Sequence, residues 1–145
     1  MNDLVASFKR MPGPLRVLVL FSLMSVLFIA ATVVPGGAVV GQRRVGLEDW
    51  WINGSGLVFG VAVCLFFSAG ILLLKARRLG RLVYISGFAG LYVAHYFIER
   101  INGVSYSRDA YFYDLLFAAL QVITLSAYLF LNRRVKNFLL PSKTA

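Results

Sequence analysis

LVFGVAVCLFFSAGILLL–KARRLGR–LVYISGFAGLYVAHYFI, residues 57–98, is the stretch whose reading decides the fold. Two apolar runs, Leu57–Leu74 and Leu82–Ile98, contain no lysine or arginine, whereas the seven residues between them, Lys75 to Arg81, contain four. Each run is near the ~20 apolar residues that an α-helix needs to cross the hydrocarbon core of a bilayer. Working outward, the pattern recurs at Val17–Val34 and Ala110–Leu131. The chain therefore reads as an all-α integral membrane protein, a four-transmembrane-helix antiparallel bundle. It forms one domain over residues 1–145, because four spans and their joints use nearly all of that length.

Composition agrees. Hydrophobic residues make up 59% of the chain and charged residues 14%, against roughly 25% charged in an ordinary soluble domain. So short a chain has too little interior to hide that much apolar surface from water. The lipid bilayer is thus the first expected partner.

The net charge of +9 would point to nucleic acid in a soluble protein. Its distribution points elsewhere. With joints on alternating sides, one side receives eleven of the fifteen Lys and Arg residues: Lys9, Arg10, Arg16, Lys75, Arg77, Arg78, Arg81, Arg133, Arg134, Lys136 and Lys143. The other side receives Arg43, Arg44, Arg100 and Arg108. Short loops rich in Lys and Arg stay cytoplasmic, so both termini are expected in the cytoplasm of a plasma (bacterial inner) membrane. The acids sort oppositely, with Asp3 inside and the rest outside. No basic stretch interleaves with aromatics into a nucleic-acid surface, and none is expected to bind one.

Cys64 is the single cysteine and His95 the single histidine. This excludes, within one chain, a disulfide, a CxxC redox pair, a thiolate zinc site and a bis-histidine haem. No span carries a lysine to anchor a Schiff-base chromophore. No cofactor and no metal are expected. Phosphate-cradling glycine loops, a nucleophile elbow and a HExxH helix are all missing from the sequence. Ser22 and Ser25 have no base nearby, and serines inside spans usually bond back to their own helix.

The first apolar run is longer than the 7–15 residues usual in a secretion signal and reads as a retained span. Ahead of it, residues 1–14 form an interfacial segment. Leu4, Phe8 and Met11 share one helical face there, and Pro12-Gly13-Pro14 ends the helix. The joint over residues 35–56, which opens at Pro35-Gly36-Gly37, carries Trp50 and Trp51, read as interfacial anchors. Asn53-Gly54-Ser55 fits a glycosylation pattern.

Two stripes of small residues predict where spans two and three meet. Gly56, Gly60, Cys64 and Ser68 follow at four-residue steps, as do Ser86, Gly90 and Ala94. Small residues at that spacing let helix backbones approach closely in lipid.

One polar cluster stands out. With spans three and four turning between Val104 and Ser105, His95 falls level with Asp114 and Arg100 with Asp109. Glu99 lies one turn from His95 on the same face, and Gln121 continues the face of Asp114 into span four. An acid inside a span is costly and marks a functional hypothesis with a partner to be named. His95 is that partner for Asp114, as a structural hydrogen bond; the sharper alternatives are a proton or cation site, with Asp114 as the titrating acid and Glu99 as the outer acceptor, and a metal site from His95, Glu99 and Asp114. Tyr92, Tyr96, Tyr106, Tyr111 and Tyr113 crowd the same end as an aromatic belt, or as the lining of a quinone or lipid pocket.

These features predict a small polytopic inner-membrane protein acting as a non-enzymatic accessory or interaction subunit. Complex stabilisation and toxin immunity are examples of such a role. A homo-oligomer or a second membrane protein is the expected partner. An oligomeric transporter or channel for a small molecule, proton or ion is the alternative. A lipid- or quinone-active enzyme at the outer face, with Glu99 and Asp114 as acid and base, is the third reading.

Overall fold

The structure is a computed structural model that describes residues 2–33, 37–105 and 107–139. Val34, Pro35, Gly36, Tyr106, Lys143 and the side chain of Asp3, all used above, lie outside that description.

In chain order the elements are α1 (Asn2–Arg10), α2 (Gly13–Met24), α3 (Val26–Val33), β1 (Gly37–Val40), β2 (Arg43–Gly46), α4 (Leu47–Ile52), α5 (Ser55–Leu74), α6 (Leu79–Ile101), α7 (Arg108–Leu131) and α8 (Arg133–Leu139). Four helical stretches are long and apolar enough to cross a membrane: Gly13–Val33, Ser55–Leu74, Leu79–Ile101 and Arg108–Leu131. They overrun the apolar runs because polar residues at the ends continue each helix.

Three features depart from the sequence expectation. The first span is not one unbroken helix. It divides at Ser25, whose hydroxyl donates to the Ser22 carbonyl at 2.7 Å while its amide reaches the same carbonyl at 3.3 Å. That tight turn interrupts the regular ladder, as serine back-bonding does in apolar helices. The fold is also not purely helical, since β1 and β2 pair antiparallel with Val40 opposite Arg43. Gly41, at φ 60, supplies the left-handed turn that the pairing needs. Finally, a short amphipathic helix, α8, follows the fourth long apolar helix. In α8, Val135 and Leu139 are buried, and the Asn132 side-chain oxygen accepts the Arg134 amide at 2.9 Å to start it.

The packing divides into two cores. One, at the end that carries most of the basic residues, joins Met11, Leu15 and Val19 to Phe66, Leu73, Tyr84, Leu129, Val135 and Leu139. Both terminal helices close it, and the Ser7 hydroxyl donates to the Leu74 carbonyl at 2.6 Å. The other, at the hairpin end, gathers Val40, Val45, Trp50, Ala62, Ala94 and Ile98.

The α5–α6 contact is the most extensive among the described residues, but apart from Ala94 the residues that make it are not those of the expected stripes. Cys64, Ser68 and Ser86 are exposed, and a side chain at Gly60 or Gly90 would meet open space. Gly56 and Ala94 are buried, Gly56 against Trp50 and Trp51 rather than against α6. The contact runs instead through Ala62, Phe66, Ala69 and Leu73 on α5 and through Gly80, Tyr84, Gly87, Ala94 and Ile98 on α6. The α5 positions step by four, three and four and the α6 positions by four, three, seven and four, the seven-residue repeat of left-handed packing, whereas the four-residue stripe belongs to the opposite crossing. A Cβ on Gly87 would stand 2.8 Å from the Phe66 Cα, and one on Gly80 would stand 2.9 Å from the Leu73 nitrogen.

These positions separate the two patterns experimentally. Gly87→Leu is expected to destabilise the protein by at least about 1–3 kcal/mol, since backbone has to give way. Gly60→Leu should melt within about 0.5 kcal/mol of the parent in the same detergent. Equal melting curves for Gly87→Leu and the parent would overturn this packing.

Candidate functional site

The end of α6 is set by Asn102-Gly103. Gly103 takes φ +69, and the Val104 amide reaches back to the Glu99 carbonyl at 2.9 Å, so the helix closes in a left-handed cap that only glycine adopts without strain. α4 ends the same way at Asn53-Gly54, with Gly54 at φ +83. These two caps meet. The Asn53 amide donates to the Asn102 side-chain oxygen at 3.0 Å, and Asn102 donates to the Ser55 hydroxyl at 2.9 Å and to the Ile98 carbonyl at 2.7 Å. The Asn53 oxygen in turn accepts the Ser55 amide at 2.9 Å. The glycosylation-like triplet therefore forms a polar clasp between α4, α5 and α6. Two Asn-Gly pairs were the available signal for it.

Trp50 and Trp51 part company. Trp51 is exposed, but Trp50 is buried under the hairpin, its ring edge-on to Phe59 at 6.1 Å. It plugs the hairpin-end core rather than anchoring at an interface.

The four residues of the expected polar cluster are not assembled as one site. His95 and Glu99 pair one turn apart on α6, with Nε2 and Oε1 separated by 3.2 Å. Glu99 is buried to 3% exposure, while the histidine side chain is 59% exposed. The buried carboxylate is thus the anchored member of the pair. Asp114 is exposed on α7 and makes no ion pair among the described residues, so the expected His95–Asp114 contact is replaced by His95–Glu99. Equal depth along two helices did not bring the two side chains into contact: Asp114 keeps to the side of α7 that carries Gln121, and its charge neighbours Tyr96 on α6 rather than His95. Arg100 and Asp109 likewise form no ion pair among the described residues. Gln121 accepts a hydrogen bond from the Tyr92 hydroxyl at 2.6 Å, the main polar tie between α6 and α7. Among the described residues no three His, Cys, Asp or Glu side chains stand close enough to share a metal ion.

Two cavities flank the pair. One of about 350 Å³ lies under the hairpin and is lined by His95 with Thr32, Val40, Trp50 and Phe59. The other, of about 540 Å³, is lined by Glu99, Arg100, Arg108, Tyr96 and Tyr111. The Tyr96 and Tyr111 rings meet there at a tilt of 54°, with 4.9 Å between ring centres. A carboxylate, two guanidinium groups and two phenols give that cavity groups able to hold a polar ligand, and Glu99 is the member that could move a proton.

The chain matches no family model, and no curated protein and no solved structure is significantly similar to it.

Burial predicts the order of two substitutions. Glu99→Ala strips a buried carboxylate of its place beside His95 and is expected to cost about 1–3 kcal/mol. Asp114→Leu, on an exposed apolar face, should leave stability unchanged or raise it by up to about 1 kcal/mol in detergent. A denaturant series on the purified variants reads both values. A larger loss for Asp114→Leu than for Glu99→Ala would overturn the assignment of the pair.

Proposed function

We propose that this chain is an integral protein of the plasma (bacterial inner) membrane, an antiparallel bundle of four spans with both termini in the cytoplasm. Its role on this reading is that of a non-enzymatic accessory subunit that binds a membrane-protein partner through α7. The Lys and Arg asymmetry supports the orientation, because α1, α8 and the α5–α6 turn are the basic segments.

Asp114 carries the partner reading. It lies six residues into α7, roughly 9 Å along the axis at ~1.5 Å per residue. Asp114 is exposed, as are Tyr113, Leu115 and Phe117 beside it, and Ala118 and Leu129 are the only residues of this 24-residue helix that are buried. A carboxylate on an apolar helix surface is expensive in lipid and is relieved by a cation or a hydrogen-bond donor on a neighbouring helix. The occupant proposed for this face is therefore a partner helix offering such a group near the outer interface. An oligomeric proton or ion transporter draws on the same residue, with Asp114 facing the path between subunits.

Two experiments test this. With Cys64 replaced by Ala, a single cysteine at Arg43 should react with an impermeant maleimide in intact cells, and one at Lys136 should be protected until the cells are opened. The reverse pattern would overturn the orientation. Purification in mild detergent with quantitative mass spectrometry should recover a partner that Asp114→Leu depletes at least tenfold. Val61→Ala, at an exposed position on α5, should retain it. A partner profile indifferent to Asp114 would sink the accessory reading. Flux in liposomes that Asp114→Asn abolishes would establish the transporter instead.

A further inference from the structure

Between α2, α6 and α7 the spans do not close on each other. α7 packs chiefly on α6 and barely approaches α2. The gap is a cleft of about 860 Å³, lined among others by Val17, Phe21, Phe88, Leu120, Thr124 and Leu125. That volume is within the roughly 300–1,000 Å³ typical of ligand sites. At the basic end the cleft meets a second cavity of about 350 Å³, with Pro14 and Tyr128 lining both. Pro12, Gly13, Asn132, Arg133 and Arg134 complete the second cavity. An apolar trough thus runs into a cationic mouth.

We propose that this composite site binds an anionic phospholipid of the leaflet at the basic end, its acyl chains in the trough and its phosphate between Arg133, Arg134 and the start of α2. The inference rests on the membrane placement proposed above.

The charges at the mouth are available. Arg133 and Arg134 are exposed and form no ion pair among the described residues. Arg16 and Arg81 at the same end are committed elsewhere. Arg16 donates through Nε to the Met11 carbonyl at 3.0 Å and also to the Lys9 carbonyl at 2.5 Å, and the Arg81 guanidinium sits 5.7 Å from the centre of the Phe130 ring. The Asn132 cap fixes the backbone that carries both free guanidinium groups. α2 starts at Gly13 with no side-chain cap, and since Pro12 and Pro14 carry no N–H, the Gly13 and Leu15 amides are the first-turn donors without a helical acceptor. Amides at the positive end of a helix and planar guanidinium forks both match phosphate oxygens. The trough offers acyl chains Phe, Leu and Val side chains with few polar groups. A second protein helix would have to bring its own anion to the same place, and a phospholipid has one at the required end.

Native mass spectrometry of the full chain in detergent, titrated with phosphatidylglycerol or phosphatidylcholine of identical acyl chains, tests this. The parent protein should retain phosphatidylglycerol at least tenfold better. The double variant Arg133→Ala/Arg134→Ala should bring it down to the phosphatidylcholine level. Arg77→Ala/Arg78→Ala, an equal charge loss at the same end but outside the mouth, should keep the preference. Leu120→Trp should lower the occupancy of both lipids. Equal retention of the two lipids by the parent would overturn the proposal, and so would equal losses in the two double variants, which would reduce the effect to diffuse attraction. Should the Arg133/Arg134 double variant unfold, each single alanine variant must still lower the preference, and failure of both to do so overturns it too. An error in membrane orientation would appear in the cysteine labelling, which does not read lipid preference.

Discussion

Everything in this fold is arranged around the place where the backbones of α5 and α6 touch at Phe66 and Gly87. A glycine there removes the only obstacle to contact, and the Phe66 ring fills the space beside it against Tyr84, at 4.9 Å between ring centres. α2 joins the same point. The Ser22 hydroxyl donates to the Phe66 carbonyl, lying in a notch that exists because residue 70 is glycine. The Tyr84 hydroxyl returns the tie by donating to the Leu18 carbonyl at 3.0 Å. Carbonyls already used within a helix keep a second lone pair, so a hydroxyl can link helices without breaking a ladder. In a low-dielectric surrounding such bonds gain strength, and an unmade one would be costly.

From this centre the ties thin out toward α7. Ser7 fastens α1 to the end of α5, and Asn53, Ser55 and Asn102 fasten the hairpin cap to α5 and α6. α7 has Tyr92–Gln121 and a sparse apolar contact. The chain thus consists of a closely knit three-span unit and a fourth span that keeps most of its surface outward. Loose docking of that kind leaves both places to which function is attributed: the exposed carboxylate of Asp114 and the cleft facing α2. In the proposed bilayer the two face different neighbours, one a protein with a complementary polar group and the other a lipid whose phosphate lies at the basic rim.

The hairpin end contributes rigidity of a different origin. β1 and β2 are short and would not hold by themselves. They are kept in place by Trp50, which stands between Val40, Val45 and Ile98 as the wedge of the second core. The His95–Glu99 pair sits beneath this cap, with one cavity on either side. Its burial is on the carboxylate side.

The sequence by itself determined the number of long apolar helices, their approximate limits and the segregation of basic residues to alternate joints. Those are properties of runs and counts, and a bilayer-length run of apolar residues has few other structures open to it. It also marked the α5–α6 pair, because a turn this short leaves consecutive helices as neighbours. What it could not determine was which face each helix turns inward. In a soluble helix a polar face answers that question, but here every side of a span is apolar and small residues occur on more than one side. Both a four-residue and a seven-residue pattern were therefore legible in α5 and α6, and only the tertiary contact at Phe66 and Gly87 selects the second. The same rotational freedom separates Asp114 from His95, buries Trp50 while leaving Trp51 out, and opens the cleft beside Arg133 and Arg134. Depth along a helix follows from counting residues, whereas azimuth follows from packing, and the functional surfaces of this protein are differences in azimuth.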